Sequence, residues 1–251
     1  MGLNDNVCII TGGGSGIGRA TGLMMAEEGA VVVAVGRTAS KVEAVRDEIA
    51  AAGGVAEAYG VDVGDNDAVA SMVNEVLGKY GKVDVLVNNA GHSSPRRMLL
   101  TTTPDDLRSV YDSNLVGSVF CTQAVVPSMV DAGEGTIINV SSMAGVSASP
   151  LAGMSYSAAK AAVINFTAFI NAEYRNTGIR ASVVIPGEVD TPILDGRPVV
   201  PDSDARSSMV TAEDTAEAIT LIARLPQRAA IPELIIRPTW LRDTSGEVNI
   251  A

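Results

Sequence analysis

The chain has 251 residues, 47% of them hydrophobic by type, and a mean hydropathy of +0.24, enough apolar matter for a domain-sized core. Its 29 acidic residues against 18 basic ones give a formal net charge of −11 and no basic stripe, which argues against nucleic acid or an anionic membrane surface as partner. Two distant cysteines, Cys8 and Cys121, and a single histidine, His92, exclude a disulfide framework and a zinc site, and no uninterrupted apolar run approaches the ~18 residues of a membrane span. The expectation is a soluble, cytoplasmic protein without a metal.

In chain order, short β-branched runs alternate with longer stretches of helical period. Strands are expected at "NVCII", "AVVVAV", "VAEAYGV", "KVDVLVN", "GTIINVSS", "IRASVVIP" and "PELIIRP". Helices are expected between them over residues 17–28, 40–52, 67–80, 105–130, 155–176 and 212–225. Strands separated by helices of this length make right-handed crossovers and a parallel sheet covered on both faces. The predicted class is therefore α/β, a Rossmann-type doubly wound sheet of about seven strands in a single domain spanning residues 1–251. Such sheets bind ligands beyond the carboxyl ends of their strands. The stretch 186–210 carries four prolines and no clear period, and is taken as a functional loop.

The stretch "TGGGSGIG", residues 11–18, lies between the first strand and the first helix. Glycine there permits positive φ, lets backbone approach a ligand closely, and leaves a helix N-terminus open to an anion such as pyrophosphate. Gly12, Gly16 and Gly18 are the positions the pattern singles out. At the end of the second strand a carboxylate would bind the ribose of NAD, whereas a cation would bind the 2′-phosphate of NADP. The chain has Gly36, Arg37 and Thr38 there and no acidic residue in "VAVGRTASK", so NADP is favoured over the alternative, NAD.

In "SYSAAKAAV", Tyr156 and Lys160 stand four residues apart on one helix face. A free phenol, with pKa ~10, carries protons poorly at neutral pH. An ammonium ~4 to 5 Å away, at an effective dielectric of ~20, offers about 3 to 4 kcal/mol of Coulomb energy, enough to lower that value by ~2 units. The spacing thus predicts a tyrosine tuned for general acid/base work.

Here the chain resembles the short-chain dehydrogenase/reductase family from Val7 to about Pro238, on ordered motifs that include "TGGGSGIG", "NNAG", "SNLVGSVF", "NVSSMAG", "SYSAAK" and "PGEVDTP". The resemblance implies an oxidoreductase that moves a hydride between NADP(H) and a small or medium carbonyl compound or secondary alcohol. It implies a catalytic set of Asn114, Ser142, Tyr156 and Lys160: Ser142 bonds the substrate oxygen, Tyr156 transfers the proton, Lys160 holds the nicotinamide ribose and Asn114 holds a water. The implied cofactor contacts are Gly12, Ser15, Gly16, Ile17 and Gly18 in the glycine loop, and Arg37 and Thr38 after the second strand. Asp62 and Val63 follow beside the adenine, then Asn88, Ala90 and Gly91 in "NNAG", and Pro186, Gly187 and Thr191, together with Tyr156 and Lys160. Of the adjacent Ser141 and Ser142, only one can face the cofactor, since neighbours on a strand point oppositely; Ser142 is chosen by its match to the motif. His92 is given no catalytic role.

An acidic carrier protein is disfavoured as substrate by "VDAGEG" ahead of the fifth strand and by the overall charge. The pair Arg96 and Arg97 leaves room for a carboxylate or phosphate on a small substrate. Residues 187–210 resemble the family's substrate lid, and the segment 158–172 is apolar on nearly every face, which together with the resemblance implies a homotetramer or homodimer. Two alternatives remain: an NAD-dependent alcohol dehydrogenase of the same family, or a non-catalytic dinucleotide sensor.

Overall fold

The computed structural model describes residues 2–248. Seven strands form one parallel sheet: β1 (Val7–Thr11), β2 (Val31–Gly36), β3 (Val55–Gly60), β4 (Val85–Asn88), β5 (Gly135–Val140), β6 (Ile179–Pro186) and β7 (Glu233–Ile236), in the order β3-β2-β1-β4-β5-β6-β7. The long helices are α1 (Gly16–Glu27), α2 (Ala39–Ala51), α3 (Asn66–Tyr80), α4 (Pro104–Tyr111), α5 (Gly117–Ala132), α7 (Met154–Glu173) and α9 (Ala212–Arg224). Two short ones, α6 (Met143–Val146) and α8 (Ser203–Ser207), punctuate the loops.

Each central strand is buried along its whole length because helices cover both faces, which is why "VCIIT" and "VLVN" lack the alternation of a half-exposed strand. One face packs Val69, Met72 and Val76 of α3, Val125 and Met129 of α5 and Ile170 of α7 against Ile9, Val33 and Ile137. The other packs Met25 of α1, Val45 and Ile49 of α2 and Ile219 and Ile222 of α9 against Cys8, Ile10, Val32 and Ile138. Each such side chain contributes about 1.5 to 3 kcal/mol by leaving water. The continuous helical run Pro104–Ala132 is long and apolar enough to cross a membrane by length and composition, yet its α5 half is spent on the first of these two layers.

Strand order reverses between β1 and β4, opening a crevice at their carboxyl ends. Asn89 closes the floor of that crevice: its main-chain NH donates to Thr11 Oγ1 at 3.0 Å and its Nδ2 to the Thr11 carbonyl at 3.0 Å.

The structure departs from the predicted elements in one informative place. The helix expected over 105–130 is two helices joined by a π-helical turn at Asp112–Val116. Side chains there compete with the backbone: Ser113 Oγ donates to the Ser109 carbonyl at 3.2 Å and Asn114 Nδ2 to the Val110 carbonyl at 2.8 Å. Gly117 follows because a Cβ there would stand 2.8 Å from that of Val63. The widened turn carries Asn114 to the crevice.

The stretch read as lacking a period holds two short elements, a 3₁₀ turn at Pro192–Gly196 and α8. Its ends are drawn together by a bridge between Val189 and Val210, so it leaves the sheet and returns as a closed flap.

Candidate active site

A cleft of about 980 Å³ opens at the carboxyl ends of the strands. At its β1 end, Gly12 and Gly16 adopt φ of +65° and +50°, the left-handed conformation glycine was expected to supply. Gly18 has a different job: inside α1, any Cβ would overlap the Gly12 carbonyl, so it seats the helix on the loop. Ser15 and Ile17 line the cleft between them. Thr191 lies over this loop, its side chain 3.2 Å from where a Gly16 Cβ would be.

Beside the loop, Arg37 lines the cleft from the end of β2 and Thr38 precedes α2 as its N-cap residue. Lys41, one turn into α2, joins Arg37 on the lining. Among the described residues neither cation has a carboxylate partner within ion-pair distance. Lys41 was in view within "VAVGRTASK"; the signal that marks it is its placement four residues after Arg37.

Asp62, Val63, Asn88 and Ala90, expected at the cofactor, are not among the residues lining the cleft. Asn88 is buried, with Nδ2 donating to Asn139 Oδ1 at 2.9 Å and Thr122 Oγ1 at 3.2 Å, so it ties β4 to β5 and α5, while Asn89 and Gly91 reach the lining. Val63 is a core residue, Asp62 accepts from the Gly64 NH at 3.0 Å, and the NH of Ala90 is bound to Thr11 Oγ1 at 3.0 Å. Pro186 and Gly187 do line the cleft.

The centre is assembled by α6 and α7. Gly145 lets α6 press onto α7, since a Cβ there would be 2.6 Å from the Lys160 carbonyl carbon. That contact sets Ser142 beside Tyr156. Ser142 Oγ also accepts from the Ala144 NH at 3.2 Å, whereas the neighbouring Ser141 Oγ is spent on the Lys160 carbonyl at 2.7 Å. Lys160 is 4% exposed, donates to the Val140 carbonyl at 2.8 Å, and holds Nζ 5.6 Å from the centroid of the Tyr156 ring. Asn114 donates to the His92 carbonyl at 2.8 Å, leaving its buried Oδ1 without a partner beside Gly91, near the Lys160 ammonium. His92 itself is bound by Ser113 at 2.8 Å and Ser109 at 3.1 Å. Burial, with the Arg37 charge, holds its imidazole below the ordinary value.

The electrostatics differ from the simple picture of an ammonium pulling on a phenol. Burial pushes the Tyr156 phenol up, and the groups that oppose this are the Ser142 hydroxyl and the Arg197 and Arg97 charges. Lys160 is not among them: burial lowers its own pKa to about 8, and its proton is directed to Val140.

The far end is built from loops. Arg96 and Arg97 part company: Arg96 turns outward into a pair with Asp106 at 2.5 Å, while Arg97 turns inward and is 7% exposed. Arg197 from the flap and Arg242 from the C-terminal segment grip Glu188, at 2.8 and 2.7 Å, and share Glu247. Burial works to raise the Glu188 pKa, but these two arginines outweigh it and hold the carboxylate low. The C-terminal segment reaches the cleft with Pro238, Trp240 and Leu241. Of the expected segment 158–172, Ala158, Ala161, Asn165, Ala168, Phe169 and Ala172 remain exposed along one stripe of α7.

Comparison with known proteins matches residues 6–198 to the family model for short chain dehydrogenases. The chain is 38% identical to the 3-oxoacyl-acyl-carrier-protein reductase FabG of Thermotoga maritima over 79% of its length and 80% of that protein. It is 36% identical to the cis-4-hydroxycyclohexanecarboxylate dehydrogenase of Sinomonas cyclohexanicum, over 87% of this chain and 89% of that one. Among solved structures, a metagenomic short-chain oxidoreductase in complex with NADP superposes with a TM-score of 0.82 at 32% identity, covering 95% of this chain and 99% of the other.

Proposed function

The chain belongs to the short-chain dehydrogenase/reductase family and is an NAD(P)-dependent oxidoreductase; from that premise we propose that it is an NADP(H)-dependent reductase of small or medium carbonyl compounds. In reverse it oxidises the corresponding secondary alcohols. The observation that carries this is the convergence of Tyr156, Ser142 and Lys160 on a cleft whose other wall is the glycine loop.

The cradle suits a dinucleotide on two counts. Gly12 and Gly16 present bare backbone in positive-φ turns, and the unpartnered Asn114 Oδ1 waits beside Lys160. The loop Gly12 to Ile17, with Thr191 above it, would hold the pyrophosphate; Lys160 and Gly91 would face the nicotinamide ribose; Arg37, Thr38 and Lys41 would hold the 2′-phosphate. The nicotinamide, when bound, supplies hydride to the carbonyl carbon or takes it from the alcohol.

The chain's own residues do the rest. Ser142 Oγ donates a hydrogen bond to the substrate oxygen and fixes its direction. Tyr156, kept protonated by burial, donates its Oη proton to that oxygen during reduction and takes it back during oxidation. Lys160 provides the next proton, and Asn114 Oδ1 would hold, by accepting its hydrogen bond, the water that returns a proton from solvent to Lys160. The flap at about 187–210 covers the substrate, and the exposed stripe of α7 packs against a second copy in a homodimer or homotetramer. A test is to add purified protein to NADPH with a panel of ketones and aldehydes and follow nicotinamide absorbance. Oxidation with at least one carbonyl is expected; none across a broad panel, with binding of NADPH intact, would favour a dinucleotide sensor.

A further inference from the structure

We infer that the substrate carries a carboxylate remote from its reacting carbonyl, and that the buried guanidinium of Arg97 receives it. This rests on the oxidoreductase reading above and names the substrate class for the same cleft.

Arg97 is held as a fixed part of the site. Its main-chain carbonyl accepts from the Met154 NH at 3.0 Å, two residues before Tyr156. Gly153, at φ +93°, has no Cβ, and one placed there would stand 3.0 Å from Arg97 Cβ and Cγ. The guanidinium is clipped on three sides: Nε donates to the Ser94 carbonyl at 3.2 Å, Nη2 to Ser93 Oγ at 3.2 Å and Nη1 to the Leu151 carbonyl. The side chain lines the cleft together with Tyr156 and Ser142.

These partners are all neutral. Among the described residues no carboxylate lies within ion-pair distance of Arg97, and burial together with the like charge of Arg197 disfavours its charged form. Burying a charge without a counter-ion costs several kcal/mol, and hydrogen bonds to neutral acceptors offset only part of that cost. Each terminal nitrogen carries two hydrogens and spends one on the protein, so two remain in the planar fork that matches a carboxylate. One guanidinium neutralises the single charge of a carboxylate, whereas a phosphate dianion would keep a net negative charge in the buried site.

The wider charge balance points the same way. In a chain of net charge −11, the cleft lining has seven Lys and Arg side chains and one carboxylate, Glu188. Arg37 and Lys41 lie at the end of β2 and Lys160 beside the phenol; Arg97, Arg197, Arg237 and Arg242 remain at the other end. Arg197 and Arg242 share Glu188 and Glu247, so their charges cancel; Arg237 is exposed to water, and Arg97 is the buried cation left over at this end. Low-dielectric walls focus the field of these charges on the cleft.

The experiment compares levulinate and its longer straight-chain oxo-acid homologues with their methyl esters, as substrates for the full chain and NADPH. For at least one chain length the acid is expected to exceed its ester at least ~10-fold in kcat/KM, the range of a hydrogen bond to a charged group. Arg97→Met should lower that acid-to-ester ratio by on the order of 10- to 100-fold, mainly through KM, and Arg97→Lys should restore part of it. Pentanoate should perturb nicotinamide fluorescence in the NADPH complex with saturation, while pentanamide should not. Should Arg97→Met fail to fold, Arg97→Gln keeps an amide donor for Leu151 and removes the charge. An acid-to-ester ratio at or below one in the wild type, or equal losses for acid and ester in the variant, would overturn the inference while leaving the oxidoreductase reading in place. No NADPH oxidation with any acid, ester or other carbonyl would overturn that reading and the inference with it.

Discussion

The two ends of the cleft are made differently. At the β1 and β2 end, loop, strand and helix follow one another in the chain, and the wall is backbone: Gly12 and Gly16 in positive-φ turns, Gly18 packed under them. At the far end the wall is side chain, and its parts come from four separated places: Arg97 after β4, the turn at Leu151, the flap with Arg197, and the C-terminal segment with Arg242. Backbone cradles fit a ligand shared by many proteins, because main-chain groups carry no individual identity. Side-chain walls assembled over long sequence separations can be changed piece by piece, and that is where specificity resides.

The sharpest break between the two ends should come from Tyr156→Phe, which removes the proton and leaves the cradle. Turnover should fall about 10²- to 10⁴-fold, the usual worth of general acid/base catalysis, with the NADPH dissociation constant within a few-fold of wild type. Rapid-mixing kinetics and fluorescence titration on the same sample would show whether the losses separate; turnover that survives would take the proton-transfer role from Tyr156.

Gly18→Ala attacks the cradle instead. The added methyl overlaps the Gly12 carbonyl, and overpacking of this kind costs about 1 to 3 kcal/mol, or ~2 to 6 °C in thermal midpoint for a domain of this size. Calorimetry without cofactor should record that drop, and NADPH should recover less of it than in wild type because the displaced loop binds more weakly.

Glu188→Gln acts on the far end, leaving Arg197 and Arg242 to share Glu247 alone. Trypsin should then cut after Arg242 several-fold faster. An unchanged digestion rate would mean that Pro238, which abuts Gly187, holds the C-terminal segment unaided.

A smaller effect is expected from pH. The folded Lys160 titrates at about 8, below the 10.5 of an unfolded lysine, so between these values the unfolded chain binds the extra proton and stability rises with pH. The slope approaches ~1.4 kcal/mol per pH unit for one proton. Chemical denaturation of wild type and Lys160→Met from pH 7 to pH 10 should show the wild type gaining relative to the variant; parallel curves would mean that the ammonium is better solvated than its burial implies.

The glycine-loop end of the cleft was legible in the sequence because its signals are local. "TGGGSGIG" between a strand and a helix, and Arg37 without an acidic neighbour, need only the order of the chain to be understood. The seven strands and their parallel class followed from the same kind of local period. The π-helical turn was not legible: Ser113 and Asn114 read as helix, and only the competition of their side chains with the backbone widens the turn. Asn88 and Asn89 are neighbours of one type, and the pleat that sends Asn88 to Thr122 and Asn139 and Asn89 to Thr11 depends on strand register. Arg96 and Arg97 looked alike for the same reason, until Asp106 drew one outward and Gly153 made room for the other. The clasp of Glu188, Arg197, Arg242 and Glu247 joins residues up to 59 apart, and nothing in their spacing announces it.

The most direct test of the account is a side-by-side fluorescence titration of the purified protein with NADPH and NADH, repeated on Arg37→Ala. A phosphate held by a guanidinium fork is worth about 1.5 to 3 kcal/mol. NADPH should therefore bind at least ~10-fold more tightly than NADH, and Arg37→Ala should erase most of that difference by weakening NADPH alone. Equal affinities, or tighter NADH, would contradict the assignment of the β2 end to a 2′-phosphate and make the protein an NAD-dependent dehydrogenase.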